Sequence, residues 1–279
     1  RDSLDFDITQ IHNYLPWLSN EEADSFMENI MEYYDHPIPL NSMGFNQLKK
    51  IPFLTEFFSH EIAKSISKKA DVVTSTNVFQ HLFDINSFAK GVECLLNENG
   101  IWVLEFPYWI HDMKTNQFDQ IYHEHMYYHS IKPIRLMMIK HGMRIVNISK
   151  QNIHGGTLRL VICKESSKLK EDFTIECFSQ FEKNYGLEYH IEWGMKIKDQ
   201  IEKSKIFIRN LKNDGNIIYG FGAAAKGCIY LNSMGLTDSD IKYIIDDTDI
   251  KQGKFVPGTG IEIVSREILN KHKPDYILI

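Results

Sequence analysis

From Ile51 onward the chain alternates short apolar runs with stretches in which apolar residues return every three or four positions. A parallel sheet with crossover helices reads this way, because its buried strands are apolar throughout and its helices are apolar on one face. The pattern predicts a helix over SHEIAKSISKK (59–69), a strand over ADVVTST (70–76), a helix over 84–100 ended by Gly100, and a strand over IWVLEFP (101–107). A helix through IRLMMIKHG stops at Gly142, and MRIVNIS with GTLRLVICKE reads as an antiparallel pair at the sheet edge. Residues 168–213, nearly free of Gly and Pro, suit one long or two shorter helices as a connection. The segments NIIYGFGAAAKG, CIYLNSMG, IKYIIDD and PDYILI then restart the rhythm as a small nucleotide-binding-like unit. Ahead of Ile51, NEEADSFMENIMEYY predicts one helix capped by Asn20, and the rest of residues 1–50 stays unassigned.

The balance of 43% hydrophobic and 24% charged residues over 279 positions is that of a folded protein with room for two domains. A net charge of -6 argues against nucleic acid or a membrane surface as partner, since both demand a concentrated basic face. No apolar run reaches the roughly 20 residues that span a bilayer, and RDSLDFDITQ lacks the flank and core of a signal peptide, so the cytoplasm is the expected compartment. Cys94, Cys163, Cys177 and Cys228 form no CxxC pair and read as packing thiols. A start at Arg1 and an end inside PDYILI are those expected of a fragment. Oligomeric state is not legible.

Three constellations could carry chemistry. In Tyr122–His123–Glu124–His125, with His81 one element earlier, an imidazole beside a hydroxyl and a carboxylate could remove a proton alpha to a carbonyl. The same residues also read as a hydrogen-bonded polar loop, or as His123 and His125 on one strand face holding a metal, for which no further ligand is spaced. In YGFGAAAKG (219–227), Gly222 and its neighbours could let a phosphate approach the backbone, with Lys226 adding a point charge and Asp246 and Asp247 placed where a ribose-binding acid falls. A tight strand–helix turn would use the same small residues. In HGGTLR (154–159), the two glycines suit a hairpin turn, while His154 and Arg159 become polar contacts if a cleft lies beside them. Trp109 and Tyr108 in EFPYW read as packing or as a ligand platform at the sheet edge.

Taken in order, residues 70–96, GIWVLEFPY, FDQIYHEHMYYHS, HGGTLRLV, YGFGAAAKG, residues 246–263 and KPDYILI make the chain from about Ile51 resemble the sugar C-methyltransferases that act on nucleotide-linked deoxy-keto-sugars. The resemblance implies an α/β fold: a Rossmann-like methyltransferase domain, incomplete in its N-terminal half, over 51–167, a helical connection over 168–213, and a smaller Rossmann-like C-terminal domain over 214–279. It implies S-adenosylmethionine as cofactor and a nucleoside-diphosphate sugar as partner. It assigns His125 as the base and Tyr122 as the assisting hydroxyl, with Glu124 and His81 around the same pocket. Asn77 falls to the cofactor, and Lys226 with its loop to the nucleotide-holding domain. The chain departs from the family in two places: no cysteine-rich module is present, and residues 1–50, where the cofactor's glycine loop belongs, contain only Gly44. A sugar-nucleotide-binding protein without cofactor, an inactive remnant, and a nicotinamide-dependent oxidoreductase using YGFGAAAKG with Asp246 are the competing readings.

Overall fold

A computed structural model describes residues 54–279 apart from 152 and 154, so the helix expected over 20–34 lies outside the described residues. Ser59–Ile279 forms one compact unit, and everything below concerns it.

The first half is built on a four-stranded sheet in the order β1-β2-β4-β3. Helix α1 (His60–Ser65) leads to β1 (Ala70–Thr76), which pairs in parallel with β2 (Leu96–Pro107) through the crossover helix α2 (Ile85–Leu95). Asp84 starts α2 by accepting the Ser87 amide at 2.9 Å, and the helix turns Phe88, Ala89, Val92 and Leu95 inward. The expected stop at Gly100 is corrected: α2 ends at Leu95, and Gly100 sits within β2. A Cβ there would lie 2.8 Å from the Ala70 carbonyl oxygen, so the glycine permits the close passage of β2 beside β1 rather than ending a helix.

Strands β3 (Met143–Gln151) and β4 (Thr157–Lys164) form the antiparallel pair; β3 is the edge and β4 is sandwiched between it and β2. Beneath the sheet Trp102, Phe79 and Phe106 are fully buried, and the Trp102 indole donates to Ser75 Oγ at 3.0 Å.

Between β2 and β3 lie α3 (Trp109–Lys114), a 3₁₀ turn (Phe118–Gln120) and α4 (Ile131–Lys140). The N-terminus of α4 has no side-chain cap of its own. Glu182, on α5 (Thr174–Glu182), supplies one from a distance by accepting the Ile131 and Lys132 amides at 2.7 and 3.1 Å, while the Tyr108 hydroxyl donates to it at 2.9 Å. The connection is thus the short α5 followed by α6 (Leu187–Asn213), whose Trp193 packs edge-on to Trp109 and whose Ile208 enters the C-terminal core.

That core covers a second sheet, wholly parallel, in the order β7-β6-β5-β8. The chain runs from β5 (Ile218–Phe221) through α7 (Ala225–Met234) to β6 (Tyr243–Ile245) and β7 (Glu262–Val264). It then returns by α8 (Ile268–Lys271) to place β8 (Tyr276–Leu278) on the other side of β5. Strand order therefore reverses at β5, and the loop leaving its C-terminal end is where open α/β sheets bind ligands.

Candidate functional site

The loop after β5 and the 118–125 segment face each other across a cleft of about 400 Å³. Tyr122, His123 and Glu124 form one wall; Gly222 to Ala225, Gly227 and Cys228 form the other, over an apolar floor that includes Ile244 and Ile263. Phe118 stacks on Tyr230 of α7 at 5.8 Å between centroids and joins the two walls.

On the first wall, residues 122–124 make a bend and turn rather than a strand, so His123 and His125 do not share a strand face as the metal reading required. His125 is 8% exposed and both its ring nitrogens are engaged. Nδ1 donates to the Gln120 carbonyl at 2.9 Å, and Nε2 accepts the Tyr122 hydroxyl at 2.8 Å. The carbonyl accepts only, so it fixes the tautomer and leaves the Nε2 lone pair toward Tyr122. Burial lowers the His125 pKa below the ordinary imidazole value, and His81 and Lys226 add to this against the opposing pull of the Gln120 carbonyl and Glu124. The ring is a neutral base at pH 7. Burial, with Glu124 and Asp119, raises the Tyr122 pKa, so its phenol keeps its proton.

His81 packs on His125 at 4.8 Å between centroids, and its Nδ1 is 2.8 Å from the Glu124 carbonyl oxygen. Gln80, which the sequence reading missed, links this group to the end of β1: its amide nitrogen reaches the Asn77 carbonyl at 3.1 Å and His81 Nε2 at 3.3 Å. Asn77 turns the chain at φ 52, and its amide nitrogen donates to the Glu105 carbonyl at 3.0 Å. The side-chain oxygens of both Asn77 and Gln80 are buried with no donor among the described residues. His129, also unforeseen, is a core group; burial pushes its pKa down to about 4, and Trp109 N bonds its carbonyl.

On the second wall, Gly222 adopts φ +90, a region that costs side-chain-bearing residues, while its amide reaches the Ile245 carbonyl at 2.7 Å. Asp246 braces this loop. Its carboxylate accepts the Ala223 amide at 2.8 Å, the Thr248 amide at 2.9 Å and the Lys251 ammonium at 3.0 Å, and Lys251 also reaches the Ala223 carbonyl at 3.0 Å. Burial disfavours the charge, but these bonds outweigh it and hold the carboxyl well below its usual range. Both oxygens of Asp246 are thus spent inside the protein rather than presented to a ribose. Lys226 is half-buried at the start of α7, and its side chain makes no hydrogen bond or ion pair among the described residues.

The structure therefore brings His81, Tyr122, Glu124 and His125 together and sets Gly222 opposite Tyr122 and Glu124 across the cleft, whereas Lys226 does not line it. Arg159 stands apart: it forms a buried ion pair with Glu105 across β4 and β2. His154 lies outside the described residues, but Gly155 and Gly156, at φ +83 and +126, stand where any Cβ would collide with Gln117 and with His111. No spacing could have flagged Asp112 on α3, which is 2% exposed, because a single acid in a polar stretch reads as surface.

Residues 152–279 match the model of the C-methyltransferase C-terminal domain. Over 231 residues the chain is 31% identical to C-methyltransferase NovU of Streptomyces niveus, which takes in 80% of this chain and 54% of NovU. The chain thus spans about half the length of that relative. Among solved structures, a magnesium protoporphyrin IX methyltransferase from Synechocystis PCC 6803 with bound SAH is similar at TM-score 0.30 and 14% identity, over 37% of this chain and 48% of the other. So slight a likeness bears on neither fold nor function. No helix among the described residues is long and apolar enough to cross a membrane.

Proposed function

We propose that the chain, which is similar to the C-methyltransferase C-terminal domain over residues 152–279 and to a C-methyltransferase over 80% of its length, serves transfer of a methyl group from S-adenosylmethionine to the carbon beside the ketone of a nucleoside-diphosphate-linked deoxy-keto-sugar. The observation that carries this reading is the shared cleft: the Tyr122 phenol, hydrogen-bonded to the His125 imidazole behind it, faces the glycine loop on the other wall.

A carbon beside a ketone becomes nucleophilic when a base removes its proton while a donor stabilises the enolate oxygen. His125 Nε2 is the base, and Tyr122 is the member of the pair that lines the cleft. For Nε2 to accept the proton, the phenol turns its O–H from the imidazole to the enolate oxygen, so one rotation frees the base and supplies the donor. His81 and Glu124 hold the turn: the imidazole bonds the Glu124 carbonyl and packs on His125. Across the cleft, the backbone around Gly222 receives the diphosphate.

The donorless oxygens of Asn77 and Gln80, at the C-terminal end of β1, fit a ligand rich in N–H groups and would hold the ammonium of the cofactor's methionine portion. The cofactor supplies the electrophilic methyl group that the enolate carbon takes. A second reading, binding of the sugar nucleotide without methyl transfer, is favoured by the glycine loop and Lys226 standing within the region that matches the C-terminal domain.

Incubation with a nucleoside-diphosphate 4-keto-6-deoxy sugar in D₂O separates these. Deuterium entering beside the ketone, followed by NMR and abolished in His125→Ala, is expected even without the cofactor, and a methylated product is expected when S-adenosylmethionine is added. Binding without exchange or methylation would leave the binding-only reading and remove the enzymatic one.

A further inference from the structure

Gln80 does not line the cleft, yet it holds the chain on both sides of His125. It lies in the 3₁₀ turn Phe79–His81 that follows β1, and it is 3% exposed. Phe79, fully buried edge-on to Phe88 and Trp102, anchors that turn in the core. The main-chain carbonyl of Gln80 accepts the Met126 amide at 2.8 Å. Its side-chain nitrogen lies 3.1 Å from the Asn77 carbonyl oxygen and 3.3 Å from His81 Nε2, and His81 Nδ1 lies 2.8 Å from the Glu124 carbonyl oxygen. Glu124 and Met126 flank His125, so one residue reaches both neighbours of that imidazole: one through its main chain, the other through the His81 ring.

A main-chain carbonyl only accepts, and this gives the chain of bonds one polarity. The Asn77 carbonyl requires the amide nitrogen to face it, not the amide oxygen. The second amide hydrogen then meets His81 Nε2, which must offer its lone pair. Nδ1 therefore carries the ring proton, as the Glu124 carbonyl at the far end independently demands. Turning the amide over would set Oε1 against the Asn77 carbonyl and, with Nε2 of His81 then donating, would leave a lone pair on Nδ1 against the Glu124 carbonyl. In the orientation present, Oε1 stays buried without a donor among the described residues.

We propose that Gln80 is a positioning residue for the base: its amide fixes His81 as the Nδ1–H tautomer, and His81, through the Glu124 carbonyl, fixes the turn from which His125 acts. This rests on the reading of His125 as the base. A base works only within hydrogen-bond reach of the proton it takes, and a misplacement of about 1 Å slows the step on the order of 100-fold. Loosening residues 124–126 is thus read as slower chemistry rather than weaker binding.

The test uses Gln80→Met, which keeps a long unbranched side chain without an N–H, and Gln80→Glu, whose carboxylate accepts only. Two-bond ¹H–¹⁵N correlation at about pH 8.5, where an ordinary imidazole is neutral, reads the ring protons, with His81 assigned by its loss in His81→Asn. The unmodified protein should carry the His81 proton on Nδ1 alone, Gln80→Met a mixture of the two tautomers, and Gln80→Glu a proton on Nε2. Deuterium exchange beside the ketone of a nucleoside-diphosphate 4-keto-6-deoxy sugar should fall in kcat by about 10- to 100-fold in Gln80→Met, with KM changed by less than about threefold. A His81 ring protonated on Nε2 in the unmodified protein would overturn the proposal whatever the variants do. Exchange that proceeds undiminished in Gln80→Met would overturn it alone, whereas no exchange in the unmodified protein would overturn the base reading and this proposal together.

Discussion

On one wall of the cleft, imidazoles are aimed by backbone carbonyls; on the other, a backbone loop is aimed by a carboxylate. His125 and His81 each give one ring nitrogen to a main-chain oxygen, of Gln120 and Glu124, and keep the other for a side chain. Around Gly222 the arrangement is reversed: Asp246 and Lys251 are engaged in holding Ala223 and Thr248, which on the proposed reading leaves a ligand the main chain of the loop. The difference separates the tasks. Proton transfer needs a group whose pKa lies near the working pH, whereas holding a diphosphate needs fixed donors and a lasting charge.

The separation can be broken wall by wall. The largest effect is expected for His125→Ala, which should lower turnover about 100- to 10,000-fold while sugar-nucleotide affinity measured by calorimetry stays nearly unchanged. In the unmodified enzyme the base is neutral until the pH falls below its lowered pKa, so the acid limb of the kcat/KM profile should lie under the ordinary imidazole value of 6.5. Next is Asp246→Ala, which leaves Lys251 and two amides without their acceptor; chemical denaturation should show a loss of about 3 kcal/mol, together with loss of nucleotide binding. If that variant binds as before, the carboxylate does not shape the loop. Smallest is Gly222→Ala: no atom lies within 4 Å of the added Cβ, so the cost is the φ +90 backbone alone, about 1 kcal/mol, read as a modest fall in Tm.

Much of the scaffold was legible because its signals are local. The strand over 70–76 appears with the expected bounds, and the pairing of MRIVNIS with GTLRLVICKE appears as an antiparallel hairpin. Gly100 was misread because a glycine after an amphipathic run resembles a helix stop, and only the approach of the Ala70 carbonyl reveals its use. Asp246 followed the same course: a strand-end acid about twenty positions after a glycine loop suggested a ribose contact, yet the carboxylate turns back to its own loop. Arg159, read as a polar contact beside a cleft, pairs with the buried Glu105 on the neighbouring strand, a partner no spacing could show.

The sequence by itself determined the alternation of strands and helices and the residue types of both walls, since apolar period, glycine placement and titratable chemistry are properties of short stretches. Only the tertiary structure decided that residues a hundred positions apart share one cleft, that burial lowers the His125 pKa while its neighbour His123 stays exposed, and that Asp112 is buried. Burial and charge proximity set a pKa, and both depend on which distant elements pack together, here the Phe118 ring on Tyr230 that draws the walls into contact.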